Sequence, residues 1–288
     1  MNEEQIPMVG EPLPWPEVHT LRPDRHFDTM ACEATELGEG LALLEGGTRC
    51  TLLDPAWVTH LLEGAFFDRC ALYKTMELDQ DGKVHVERLR TLLREPARAG
   101  LPRVVLNRWA GPYLCRPLGM GADAVIEDVR QWIAPPALPG DSTLSCWALI
   151  TRSAAVEERL GVDECACLGE GASWLPLMAA MAQRRSDTAL VVAHFLAAHP
   201  RVRWVSYPGL PDDVANVAAR STLEHGFGPL VSFAAEGCGE VAPEAAWGRS
   251  SLGRGTAAGT WVFCAGLESP LDCVEVLERW LAEAAYPA

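Results

Sequence analysis

The chain reads as an α/β fold, and three observations carry that reading. Short apolar runs at 103–107, 123–127 and 146–150 have the length and composition of buried strands. Segments with helical spacing of apolar residues alternate with them, as helices packed on a sheet require. With 49% apolar and 22% charged residues in 288 positions, the chain can bury a core large enough for that architecture.

Residues 1–34 form an expected extended arm, because Pro7, Pro12, Pro14, Pro16 and Pro23 interrupt any periodicity. A helix is expected over 34–44, ended by Gly46 and Gly47 in the manner of a C-cap. Another is expected over 57–67. Asp79 to Gly82 reads as a turn, followed by a helix over 84–99 presenting Val86, Leu89, Leu92 and Leu93. After the breaker Gly100-Leu101-Pro102, 103–107 fits a buried parallel strand, 123–127 a second and 146–150 a third. The prolines of 134–140 require a loop.

In the second half, a helical stretch spans 174–185, and Ser186 is a candidate N-cap for a helix over 187–198. That helix presents Ala189, Val192, Ala193 and Leu196 on one face. Strands are expected at 202–206, 229–234 and 260–264. The glycine-rich run from Ser250 to Gly259 reads as a surface loop, with anion binding as the alternative. An amphipathic helix over 270–285 closes the chain and is expected to bury Leu271, Val274, Leu277 and Leu281.

Several classes of function are excluded. A net charge of −15 opposes nucleic acid and anionic membrane surfaces alike. No apolar run reaches the roughly 18 residues that span a bilayer, and the acidic start, Met1 to Glu4, lacks the features of a signal peptide, so a cytoplasmic location is expected. Ten cysteines without a C-x-x-C pair suggest reduced core thiols and no metal site, with Cys165 and Cys167 the nearest approach to one. Nucleophile elbow, zincin and P-loop motifs are absent.

The stretch from Ser186 to Leu210, with His225 to Phe233, resembles the C-terminal domain of the Cys/Met-metabolism enzymes, the cystathionine γ-synthase and γ-lyase family. Leu41 to Gly47 resembles that family's L-A-x-L-E-G-G. Pro112 to Asp123 resembles its P-Y-x-x-R-P-L-x-x-G-A-D, and Trp261 to Glu268 its final R-L-S-V-G-x-E strand. The resemblance implies the type I fold of pyridoxal phosphate (PLP) enzymes, like that of aspartate aminotransferase. It divides the chain into the arm, a shortened large domain at 35–173 and a C-terminal α+β small domain at 174–288. It also implies a dimer with sites shared across the interface.

The same resemblance implies that the cofactor machinery is altered. Gln131 stands in the place of the Schiff-base lysine, with Arg130 before it, and an amide forms no imine with an aldehyde. Leu106 replaces the aspartate that pairs with the pyridine nitrogen, and Asn107 survives beside it, either as a cleft residue or as a strand-end amide. Pro55 and Ala56 replace the Ser-Gly phosphate cradle, and proline has no N–H to offer. His26 to Asp28 replaces the partner's Tyr-x-Arg. Phe263 is placed where the substrate-carboxylate arginine would be, and Ser251 where the substrate loop would be. Trp15, Trp57, Trp109, Trp132 and Trp147 fall in or near this region and are expected to fill it.

These departures make the expected function that of a non-catalytic homologue, a scaffold or regulatory subunit without a cofactor. It would act as a homodimer or as a heteromer with an active paralogue. The alternative is a PLP-dependent C–S lyase or γ-replacement enzyme acting on a sulfur amino acid, using Lys74 or Lys83, the chain's two lysines.

Overall fold

The computed structural model describes residues 41–42, 45–64, 68–96, 100–129, 147–162, 175–236, 250–255 and 257–283. The expectations for 1–34, the 134–140 loop, Trp15, Trp132, Cys165 and Cys167 lie outside them.

Two sheets organise the chain. The first contains β1 (Arg49–Leu53), β2 (Ala71–Lys74), β5 (Arg103–Leu106), β6 (Ala124–Asp128) and β7 (Trp147–Thr151), in the order β1-β7-β6-β5-β2. β2, β5 and β6 run parallel. β7 runs antiparallel to both β6 and β1, so the third expected parallel strand is reversed. The sheet is covered on both faces, which is why its strands read as continuous apolar runs. Val104, Leu106, Ile126, Trp147 and Leu149 pack with Val58 and Leu61 of α1 (Pro55–Leu62) and Leu160 of α5 (Ala154–Leu160). Val105, Val125, Ala148 and Ile150 face the rest of the molecule.

The second sheet is antiparallel, in the order β10 (Ser251–Arg254), β11 (Thr260–Cys264), β9 (Leu230–Ala235), β8 (Val202–Ser206). One of its faces carries Val231, Phe233, Trp261 and Phe263 against α6 (Leu175–Ala198) and α8 (Pro270–Glu283). Val262, Cys264 and Leu230 on its other face join the core that reaches the first sheet. The expected face of Ala189, Val192, Ala193 and Leu196 is fully buried here.

Four expectations need correction. Residues 84–99 do not form one helix. Val84–Val86 is β4, paired with β3 (Met76–Leu78), and only Leu89–Leu92 is helical, as α2. The Asp79 carboxylate accepts from the backbone N–H of Asp81 and Lys83 and closes that hairpin. Ser186 is not a cap: α6 is continuous through it, and its hydroxyl accepts from the Phe227 N–H. The glycine-rich run is not only a loop, since Ser251–Arg254 pairs with β11. Leu271 is 69% exposed, whereas Leu277 and Leu281 are buried. Short helices α3 (Gly111–Leu114), α4 (Pro117–Met120) and α7 (Asn216–Thr222) complete the described chain, and none of its helices is long and apolar enough to cross a membrane.

Candidate functional site

The parallel run of β2, β5 and β6 gathers their carboxyl ends on one edge of the first sheet, where open α/β folds receive ligands. The antiparallel β7 begins there, with Trp147 paired to Asp128 on one side and Leu53 on the other. Lys74 is the in-register neighbour of Leu106 at the same edge. Its ammonium lies 2.5 Å from Glu77 Oε2, and its side chain is 39% exposed.

Several altered positions meet here. Leu106 is buried among Ile126, Trp147 and Leu53. Asn107 is fully buried and satisfied: its amide donates to Glu127 Oε1 at 2.6 Å and to the Cys115 carbonyl at 3.0 Å, and its oxygen accepts from the Thr75 hydroxyl at 2.7 Å. It is therefore a structural amide joining β5 and β6. Arg108, next in sequence, lies with Nε 3.7 Å from Asp128 Oδ2 and stacks on Trp109 and Trp147. Past β1, the Asp54 carboxylate accepts from the Ala56 N–H at 2.7 Å and caps α1, with Pro55 at its first turn. An anion at this helix start would meet that carboxylate instead of open N–H groups.

Other positions lie elsewhere. Phe263 faces α6 and α8, away from the first sheet, while Val262 and Cys264 face toward it. Strand alternation thus turns Phe263, where the resemblance implies the carboxylate arginine, away from the first sheet. Ser251 sits half-buried in β10. Lys83 stands beside the β3–β4 turn with its ammonium 5.8 Å from the Trp204 ring. Trp57 packs against the α1 side of the sheet. Arg130, Gln131 and 26–28 lie outside the described residues.

Sequence reasoning missed the Asp54 cap, although Asp-Pro before a helix is a recognisable start signal. It also missed two buried carboxyls, Glu45 and Glu127. Burial pushes Glu45 up to about 8, against the Leu118 N–H and the charges of Arg116 and Arg152. Burial also pushes Glu127 well above the usual carboxylate range, helped by the negative charge of Glu45.

The family model for Cys/Met metabolism PLP-dependent enzymes matches residues 84–246, more than half of the chain. The chain belongs to that family. Cystathionine γ-synthase of Mycobacterium leprae is 34% identical over 142 residues, covering 45% of this chain and 34% of that protein. A probable cystathionine γ-synthase of Herpetosiphon aurantiacus is 29% identical over 167 residues, covering 54% of this chain and 49% of its own. The chain thus spans between about a third and a half of the length of these relatives. A crystal structure of cystathionine γ-synthase from Xanthomonas oryzae pv. oryzae, in complex with aminoacrylate and cysteine, superposes with a TM-score of 0.67 at 20% identity. It covers 88% of this chain and 86% of that one. The fold is the type I fold of PLP-dependent enzymes.

This membership overturns the expectation that no cofactor is involved, because the family is PLP-dependent. The described residues fit the cofactor incompletely. An amine, Lys74, and a guanidinium, Arg108, stand at the edge. The ring-nitrogen carboxylate and the open phosphate cradle that the resemblance implies are replaced by Leu106 and the Asp54 cap. No catalytic step through the cofactor follows from such a set.

Proposed function

We propose that the chain is a PLP-dependent enzyme of sulfur amino acid metabolism. It would be a C–S lyase or γ-replacement enzyme acting on an amino acid of the cysteine, cystathionine or methionine type. One observation carries this reading beyond family membership: Lys74 places a primary amine at the carboxyl edge of the parallel strands, in register with Leu106. Lys83, beside the hairpin turn and Trp204, has no such placement. The cystathionine γ-synthase relatives support the substrate class. When bound, the cofactor supplies an electron sink, and the protein's share is to hold and orient it. Glu77 fixes the Lys74 ammonium toward one side of the edge.

The test is the visible spectrum of the purified protein with PLP, before and after borohydride, with the reduced adduct mapped by mass spectrometry. Release of a keto acid from L-cystathionine, L-cysteine or L-methionine is assayed in parallel. An adduct on Lys74 and turnover abolished by Lys74→Ala are expected. An unlabelled Lys74 together with no turnover overturns the reading.

A second reading rests on Leu106 and Asp54, which put an apolar side chain and a capped helix start where the resemblance implies a carboxylate and an anion site. In it the chain is a scaffold or regulatory subunit, paired with itself or with an active relative. Altered activity of a cystathionine γ-synthase on mixing with this chain, in the absence of turnover by the chain alone, would select it.

A further inference from the structure

Arg108 leaves β5 at the carboxyl edge with its side chain only 15% exposed. Its guanidinium carbon lies 4.6 Å from the Trp109 ring centroid and 5.7 Å from that of Trp147, so aromatic rings hold the group and fix its plane. The Asp128 carboxylate approaches Nε only to 3.7 Å, an ion pair without a hydrogen bond. Nε and Nη2 are buried and have no hydrogen-bond acceptor among the described residues. Buried donors left unmade are costly, and each exception in a folded protein calls for an explanation.

Two further observations point the same way. Trp109 holds a left-handed backbone conformation, φ 67°, which a bulky residue adopts only under constraint and which concentrates at ligand sites. Arg185 lies in the same neighbourhood: burial pushes the Cys264 thiol up to about 12, while the charges of Arg185 and Arg108 pull it down and that of Asp128 raises it. Arg185 is itself buried, at 4% exposure.

We infer that Arg108 binds the α-carboxylate of an amino acid ligand, with Trp109 and Trp147 against its guanidinium and Asp128 facing the ligand's ammonium group. An α-amino acid sets a cation a few ångströms from its carboxylate, which matches a guanidinium and a carboxylate side by side. A bare anion would meet the repulsion of Asp128. The site thus supplies a carboxylate clamp from the end of β5. This inference rests on the proposed substrate class for its choice of ligand, but not on cofactor chemistry.

The test is calorimetric titration of the full chain with L-methionine, L-methioninamide, inorganic phosphate and PLP, repeated with Arg108→Gln and Arg108→Lys, with folding checked by circular dichroism. L-Methionine is expected to bind at least ten-fold more tightly than its amide. Arg108→Gln is expected to erase that difference, and Arg108→Lys, which keeps the charge, to restore part of it. Equal binding of acid and amide, or an Arg108→Gln protein that still distinguishes them, overturns the inference. So does binding of phosphate or PLP that depends on Arg108 while L-methionine is indifferent to it, since the oxyanion would then be the cofactor's. Arg108-dependent L-methionine binding without an adduct on Lys74 and without turnover would keep this inference and sink the proposed function. An adduct on Lys74 with Arg108-independent binding would do the reverse.

Discussion

Asn107 donates its side-chain amide to Glu127 Oε1 at 2.6 Å, tying the carboxyl ends of two neighbouring parallel strands. The same amide donates to the Cys115 carbonyl and accepts from Thr75, so one side chain satisfies three buried groups. Replacing it with leucine strands all three in a site closed to water. The cost is expected to be about 3 kcal/mol, because a buried polar group without a partner loses its full desolvation penalty. Thr75→Val removes one bond of the set and should cost about 1 kcal/mol. Urea unfolding of the two variants checks the ratio. Equal and small losses would mean that the cluster is hydrated.

The carboxyls beneath that edge give stability a pH dependence of definite sign. Burial holds Glu45 at about 8 in the folded chain, against 4.5 for an ordinary glutamate. Between these values the native state keeps a proton that the unfolded chain has released, so raising the pH drives unfolding. The contribution is fully present below about 4.5 and is lost as the pH rises through about 8. Glu127, shifted in the same direction, adds to the trend. The urea midpoint is therefore expected to fall from pH 6 to pH 8.5, with a slope on the order of 1 kcal/mol per pH unit. Glu45→Gln keeps an acceptor for the Leu118 N–H, which lies 3.3 Å from Glu45 Oε2, and should flatten the slope. A midpoint that rises over this range would refute the assignment.

The fold was legible where one periodicity ruled a segment and illegible where two met. Val104 to Leu106, Val262 to Cys264 and the face of Ala189 to Leu196 each repeat a single pattern. Val84 and Val86 alternate as a strand, whereas Leu89, Leu92 and Leu93 follow helical spacing, and only Glu87 and Arg88 separate the two regimes. Leu271 follows the helical period yet lies on the outer side of the first turn of α8, where it is 69% exposed. At the site, the replacements Leu106 and Pro55 could be read directly. The contact of Arg108 with Asp128 could not, because it arises from the adjacency of β5 and β6 and not from spacing along the chain. The burial of Glu45 and Glu127 was equally invisible, since a glutamate in a sequence carries no mark of its burial.

Close packing around the first sheet can be probed at one backbone position. A Cβ on Gly47 would stand 2.4 Å from Ile150 Cγ2, nearer than any real contact, while its N–H is held to the Ala42 carbonyl at 2.8 Å. Gly47→Ala is expected to cost about 1–3 kcal/mol through displacement of the β7 side chain. Gly119, in α4, has open space at its Cβ position and a right-handed backbone, so Gly119→Ala should be neutral or slightly stabilising. Differential scanning calorimetry of the pair separates local crowding from a general intolerance of the large sheet.

The thiols offer a test of burial that needs no substitution. Cys50, Cys70, Cys115, Cys264 and Cys273 are buried thiols outside any disulfide. Burial pushes Cys70 and Cys273 up to about 11 and Cys264 up to about 12, and it raises Cys115 well above its ordinary value, with Glu45 and Glu127 adding to the effect. Since the thiolate is the attacking species, all four should resist alkylation at pH 8 while the chain is folded. Each should react within minutes in denaturant. Iodoacetamide labelling mapped by mass spectrometry reads each of these sites separately. Cys264 is the informative one, because Arg108 and Arg185 partly offset its burial. If L-methionine binding engages Arg108, protection of Cys264 should deepen when that ligand is present. A Cys264 that alkylates freely in the folded protein would mean that the space between the two sheets admits water, against the packing described for Val262 and Leu230 around it.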